Sequence, residues 1–497
     1  MSGPSRRSQT TIVSNRIPSY FLTAALLAAG TTLQSGAQSP TSKVSYITYE
    51  EARPIIDTLA DVLPAELRVA SSRDLASIWP SWVARRNAEI RTRLVQGDED
   101  SLVNFLLFGT SFTRNPRITL DDLAKIGGKH SFGSDHSPQA IAFVQAIQSR
   151  ADDLIRAVGA PAGNERLLFA RQLLERKGYE IKTDPGRKRV KDYLISSLGR
   201  MLNEHASYGR VLESAKLLGD PSAEFAERSK LYATRGLSSD TSLLPNFAIE
   251  RALSSLKAQG ALAPGSVHRV GIIGPGLDFT DKQDGYDFYQ QQTIQPFAVI
   301  DSLLRLGLTR ADQLHVTTFD LSARVNDHLR RATVNARRGI AYAIQLPRDA
   351  QGQWKPEAID YWTKFGDRIG TSARPVHVPP ELSDLKIRAV SVRPAIVALI
   401  TAEDTNIVLQ RPELRAEQQF DLLIATNILV YYDVFEQSLA LANVERMLRP
   451  GGLLLSNNAL LELPSSQMHS IGYETVVYSD KPSDGDHIVW YQRTIEK

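Results

Sequence analysis

The second half of this 497-residue chain predicts an α/β fold on a mostly parallel sheet, and the first half predicts a mainly helical segment. Three observations carry this. Beyond about residue 265, short apolar runs alternate with helical stretches, the order of βαβ units. The first apolar run ends in a glycine turn, Gly274-Pro275-Gly276. The chain then closes with two strand-like runs, residues 473–478 and 487–492, joined by a turn rich in Asp, Pro, Ser and Gly with no helix between them. Such a hairpin forces one strand antiparallel, which ordinary dinucleotide-binding sheets do not have.

In the first half, residues 50–63, 165–177 and 190–218 place apolar side chains at helical spacing; Leu167, Leu168, Ala170, Leu173 and Leu174 share one face. Breakers such as Asn115-Pro116, Gly127-Gly128 and Asp184-Pro185-Gly186 separate these pieces. In the second half the elements run 268–273, 295–306, 314–319, 420–426, 434–448 and 452–456. The organisation is therefore residues 1–37 as a targeting segment, 38–245 as a mainly helical domain and 246–497 as the α/β domain.

Composition narrows the chemistry. Hydrophobic residues at 42% and charged residues at 23% are those of an ordinary globular chain. A net charge of +3 gives no electrostatic case for nucleic acid. The absence of cysteine removes disulfides, thiolate metal sites and a cysteine nucleophile together. His130 and His136 flank a Gly/Ser-rich loop without a carboxylate nearby, so no metal site is expected.

At the N-terminus Arg6, Arg7 and Arg16 precede an apolar run at 20–29, and Ser35-Gly36-Ala37 follows. That is the order of a secretory signal cut after Ala37, and the run is too short for a comfortable transmembrane span. The expectation is export to the periplasm or exterior if this signal works. If it is only an extended start, the expectation is a cytoplasmic protein.

Four tracts carry the chemistry. The strand at 270–273 runs into Gly274 and Gly276, where the missing Cβ lets a ligand approach the backbone; a packing turn is the alternative. The strand at 314–319 ends in Asp320, placed either to accept hydrogen bonds from ribose hydroxyls or to cap a helix starting at Leu321. The insertion at 281–295, dense in Asp, Gln and Tyr, leaves the first strand tip either over the ligand crevice or as a solvated loop. A buried strand at 420–426 leads into Asn427-Ile428-Leu429-Val430-Tyr431-Tyr432-Asp433, then a helix stopping at Arg449-Pro450-Gly451-Gly452.

The run 420–456 resembles the fourth and fifth strand region of class I S-adenosylmethionine-dependent methyltransferases. The tract 427–433 is similar to that of chemotaxis-receptor glutamate methyltransferases. The resemblance covers roughly the last 230 residues and implies a seven-stranded, mostly parallel sheet with a C-terminal antiparallel hairpin. It implies S-adenosylmethionine as cofactor, with Gly274 and Gly276 under the methionine part, Asp320 on the ribose, Asp404 at the adenine amino group and Asn427 near the sulfonium. Tyr431 and Tyr432 would face the sulfonium or the acceptor.

Two departures qualify it. Ile272 stands where the family has an acid, with Asp278 as a substitute from the far side of the turn, and Leu277 follows Gly276 where a third glycine is usual. The expected reaction is methyl transfer to an unidentified acceptor, small molecule or protein side chain. The alternative is an exported, non-catalytic binding or structural protein that reuses the fold. His315, His328 and Asp433 are the candidate bases for a hydroxyl or amine acceptor, and residues 235–241 form either a lid led by Arg235 or a linker.

Overall fold

The computed structural model describes residues 43–68, 71–119, 122–123, 138–218, 236–239, 241–279, 286–350, 352–382, 384–457, 459–481 and 484–494. The export-like segment, Gly127, Gly128, His130, His136, Arg235, Asp240 and residues 281–285 of the insertion lie outside them.

The chain enters through β1 (Val44–Tyr46) and α1 (Tyr49–Thr58), whose start is fixed by a capping box of Thr48 and Glu51. Four longer helices follow: α2 (Ser72–Phe108), α3 (Pro138–Gly159), α4 (Glu165–Arg176) and α5 (Asp184–Leu218). No helix among the described residues is long and apolar enough to cross a membrane. Ser71 caps α2 and Asn164 caps α4, each accepting backbone N–H bonds of the first turn. The two halves of α2 serve different cores. Trp79 and Trp82 stack on each other in the first half and join the core under the sheet, whereas Leu102, Phe105 and Leu106 pack with Leu154 of α3 and Leu173 of α4.

After α6 (Leu244–Ala258) comes the alternating half: β2 (Arg269–Ile273), α7 (Gln295–Arg305), β3 (His315–Asp320) and α8 (Ala323–Arg337). An insertion then holds β4 (Tyr342–Asp349), α9 (Pro356–Lys364), β5 (Gly370–Ala373) and β6 (Leu385–Val392). Beyond it lie β7 (Ile400–Asp404), β8 (Gln410–Pro412), β9 (Phe420–Ala425) and α10 (Val434–Met447). The chain closes with β10 (Leu448–Ser456), β11 (Met468–Val477) and β12 (Gly485–Arg493).

The main sheet has the order β11-β12-β10-β9-β2-β3-β7. The pairs from β10 through β7 are parallel, and β12 runs antiparallel to both of its neighbours. This is an α/β fold on a seven-stranded, mostly parallel sheet closed by an antiparallel hairpin. Its central strands are apolar on both faces because helices cover both. All six residues of β9 are buried; Leu422 and Ile424 face the α6 and α7 side, while Leu423 and Ala425 face α1, α2 and α10.

Three details depart from the sequence reading. The insertion builds its own antiparallel sheet, β4-β6-β5, which no alternation foretold. Pro347 lies within β4, which the sheet tolerates because β4 is an edge strand. α10 stops at Met447, and Pro450 to Gly452 fall inside β10 at a register shift between Leu448 and Leu453, with Gly451 at φ 78°. α8 begins at Ala323 after Ser322, so Asp320 is not its cap.

Candidate functional site

The strand order reverses direction between β2 and β9: the chain moves to β3 and β7 on one side and to β10 and β12 on the other. The carboxyl ends of strands beside such a switch point leave a crevice. A cavity of about 570 Å³ lies there. It is lined by Gly274 and Gly276 after β2, Asp320 ending β3, Thr405 after β7, and Thr426 and Asn427 after β9.

Gly274 and Gly276 both hold left-handed backbone, at φ 68° and 65°. A Cβ on Gly274 would stand 2.1 Å from Cδ1 of Ile428, so the turn and the loop after β9 touch through the space only glycine leaves. Asp320 is buried at the tip of β3 and accepts backbone N–H bonds from Ser322, at 2.7 Å, and from Gly276. Burial pushes its carboxyl up to about 6, against the pull of those two N–H groups and of Arg324.

Asp278 is buried next to the turn. Its Oδ2 accepts from the Tyr289 hydroxyl at 2.8 Å and from Nε2 of Gln292 at 3.0 Å. Gln292 is held in turn by the backbone of Gln345 in β4, so the insertion sheet supports the glycine turn.

Asn427 adopts left-handed backbone at φ 58°, uncommon for a residue with a side chain. Its N–H donates to Oδ1 of Asn457 at 2.8 Å, and the Asn457 amide donates back to its side-chain oxygen. The reciprocal pair ties the loop after β9 to the end of β10.

The helical half builds one wall. Arg93 of α2 donates to the Tyr431 carbonyl at 2.8 Å and lies over the Tyr432 ring, and both tyrosines line the cavity. The Arg93 carbonyl accepts the N–H of Leu237. Gly236 crosses Gly97 so closely that a Cβ on either would meet backbone within 2.4 Å. From there Ser239 and Thr241 pair with Leu277 through Leu277 N–H to Ser239 O at 2.7 Å and Thr241 N–H to Leu277 O at 3.2 Å. The described part of 235–241 therefore runs along the glycine turn and lines the cavity.

The insertion after the first strand is clamped by α4. Arg166 is buried and donates to the carbonyls of Asp278, Phe279, Asp287 and Tyr289. Thr110 and Ser111 bind the Asp287 carboxylate with backbone N–H and hydroxyl groups. Tyr286 and Tyr289 of this loop line the cavity.

Of the residues singled out from sequence, Gly274, Gly276, Asp278, Asp320 and Asn427 converge on the cavity, together with Tyr431 and Tyr432. Asp404 does not. Although it sits opposite Asp320 in the β3–β7 register, its carboxylate takes two hydrogen bonds from Arg91, at 2.7 and 3.2 Å, away from the cavity. The candidate bases are elsewhere too. His315 is exposed at the start of β3, and Asp433 caps α10. His328 is buried against the Tyr342 hydroxyl at 2.7 Å, and burial pushes it down to about 4.

Residues that the sequence reading missed include Asn246 and Thr405, both buried cavity-lining residues. Oδ1 of Asn246 and Oγ1 of Thr405 have no hydrogen-bond partner among the described residues. An unpaired buried oxygen costs about 1–3 kcal/mol, which a ligand donor would recover. Nothing in their sequence neighbourhoods marks them, because they come from the start of α6 and the turn after β7. Among the described residues no group of three or more His, Asp or Glu could hold a metal.

No family model matches the chain, and no curated protein matches its sequence. Several solved structures resemble parts of it. The N-methyltransferase NodS from Bradyrhizobium japonicum WM9 is 13% identical over 50% of this chain and 97% of its own, with TM-score 0.25. The glycopeptide N-methyltransferase MtfA, solved with S-adenosyl-L-methionine, is 10% identical over 52% and 96%, with TM-score 0.23. The CurJ carbon methyltransferase is 14% identical over 85% and 98%, with TM-score 0.24. At these scores the fold assignment rests on the strand order.

Proposed function

We propose that the cavity binds S-adenosylmethionine and that the chain transfers its methyl group to an acceptor. The observation that carries this reading is the bond between Asp320 and Gly276 at the switch point. It sets a buried carboxylate and a glycine turn side by side at adjacent strand tips, the pair a nucleoside joined to an amino acid requires.

The residues fit that group. Two of the four acceptor positions on the Asp320 carboxylate are taken by N–H bonds, which leaves positions for ribose hydroxyls. The first turn of α7 lines the cavity without a side-chain cap, so the positive end of that helix suits a carboxylate. Asp278 is placed to meet the ammonium of the same amino acid, the role left open by Ile272. The unpaired Thr405 oxygen, one residue beyond Asp404, suits an adenine amino group.

The bound group supplies a methyl carbon already activated on sulfur. The work left to this chain is to align it, exclude water through the 236–241 segment and Tyr286–Tyr289, and shape the field. A carboxylate acceptor needs no general base for that chemistry, whereas a hydroxyl or ammonium must first lose a proton; His315, His328 and Asp433 lie off the cavity.

Calorimetry of the full chain with S-adenosylhomocysteine tests the reading. Binding is expected, with loss of at least tenfold in affinity for Asp320→Ala and a change of less than about threefold for Asp404→Asn, whose partner Arg91 is half-exposed. No heat at millimolar ligand would remove the reading, and equal losses from both variants would return Asp404 to the site.

A further inference from the structure

The cavity is longer than the nucleoside end requires. Its lining runs from Thr405 after β7, across β3, β2, β9 and β10, to Gly485 at the start of β12. Six adjacent strand tips at the usual spacing span about 24 Å. Asp320, the glycine turn and Asn427 occupy the β3, β2 and β9 stretch. The far stretch lies under the β11–β12 turn and the insertion, where Lys355 donates its N–H to Tyr478 at 2.7 Å and Trp354 bridges to Ser479.

This far end is acidic. Asp484 and Asp486 line it, with Trp354 and Tyr478 as its aromatic walls. Tyr478 donates its hydroxyl to Asp486. Counting Asp278 and Asp320, four carboxylates line the cavity, and no Lys, Arg or His does so among the described residues. A second observation points to a ligand there. Asn246 is only 2% exposed and its Oδ1 has no partner, while its Nδ2 is spent on the Ser242 carbonyl at 2.8 Å. The next residue, Phe247, places its ring 6.3 Å from that of Tyr478, and Asn246 lines the cavity from the same first turn of α6. A lone oxygen acceptor and two carboxylates lining one cavity call for a donor with several N–H groups and a positive charge.

We infer that the acceptor is a cationic amine, a primary or secondary ammonium on an alkyl stem, held by Asp484, Asp486 and the Asn246 side-chain oxygen. This deepens the methyl-transfer reading and rests on it for the reaction, though not for the binding. An alkyl stem suits the Trp354 and Tyr478 walls, and the ammonium replaces its water with fixed acceptors. Transfer to such a group balances: the ammonium first gives one proton to water, its nitrogen lone pair forms the N–C bond to the methyl carbon, and the electrons of the breaking C–S bond return to sulfur. The product is a methylated ammonium and a neutral thioether.

The test is calorimetry of the full chain with 1,5-diaminopentane and spermidine, and with pentanedioate as the charge-reversed probe, each with and without S-adenosylhomocysteine. Amine binding is expected and pentanedioate binding is not. The double variant Asp484→Asn, Asp486→Asn is expected to lower amine affinity at least tenfold while leaving S-adenosylhomocysteine affinity within about twofold. Asn246→Leu, which keeps the size and removes the acceptor, is expected to lower amine affinity without moving the unfolding midpoint downward. Tighter binding of pentanedioate, or amine affinity unchanged in the double variant, overturns the proposal while S-adenosylhomocysteine binding still stands. Amine binding with no S-adenosylhomocysteine binding sinks the methyl-transfer reading and leaves the amine site in place.

Discussion

Asp320 accepts the backbone N–H of Gly276, which ties the acid ending β3 to the glycine turn after β2. The bond brings together two residues that lie far apart along the chain. The intervening length is taken up by the loop that Arg166 clamps and by α7, and the strand tips stay adjacent because β2 and β3 pair in register from Arg269–His315 to Ile273–Phe319.

Burial of the same carboxyl sets a pH dependence. Burial raises the Asp320 carboxyl to about 6 in the folded chain, above its ordinary 3.8. In the free protein this gains stability as pH falls from about 6 toward 3.8, because the folded state takes up the proton first. In the proposed complex ribose hydroxyls would donate to the carboxylate, so binding would favour the ionised form and have the opposite sign. S-adenosylhomocysteine affinity is therefore expected to be flat above about pH 7 and to fall roughly tenfold per unit well below 6. Calorimetry from pH 5 to 8 measures it; Asp320→Asn should be weaker at neutral pH and flat throughout, and an unchanged slope in that variant would assign the titration to another group.

The Gly274–Ile428 contact gives a steric prediction. Gly274→Ala places a Cβ 2.1 Å from Cδ1 of Ile428 on a backbone at φ 68°. The left-handed backbone costs about 1 kcal/mol and the clash adds to it. Chemical denaturation is expected to show a loss of about 2–3 kcal/mol. Ile428→Ala removes both Cδ1 and Cγ1, the atoms that would stand at 2.1 and 2.7 Å, so the double variant should recover the steric part and retain the backbone part. Additive losses in the double variant would mean that the two residues do not meet.

Much of this site was legible because its residues sit at strand tips, where near-continuous apolar runs end abruptly. Gly274, Asp320 and Asn427 each follow such a run, and the closing hairpin announced itself by having no helix. The Asp404 assignment failed to reach the cavity for a tertiary reason: Arg91, more than 300 residues away, captures the carboxylate. The β4-β6-β5 sheet was hidden by Pro347 and by the polar character of its edge strands. Asn246 and Thr405 carry no local signal at all, since what distinguishes them is the lack of a partner in the folded chain.

Arg166 provides the last prediction, on the coupling of the helical half to the site. Its guanidinium satisfies four carbonyls of the loop after β2, including that of Asp278, and is itself buried beneath the Tyr289 ring. Arg166→Met keeps the stem and removes every donor, leaving carbonyls unpaired in a dry environment at about 1–3 kcal/mol each before relaxation. The chain is expected to relieve this by opening the loop rather than by unfolding globally. Limited proteolysis should then cut between 279 and 290 faster than in the parent, with S-adenosylhomocysteine affinity reduced because Asp278 and Tyr289 leave the cavity wall. Arg166→Lys should restore only part of this, since one ammonium cannot span four carbonyls. If the Met variant loses several kcal/mol of global stability while its loop remains uncut, the clamp is part of the common core and the loop does not open by itself.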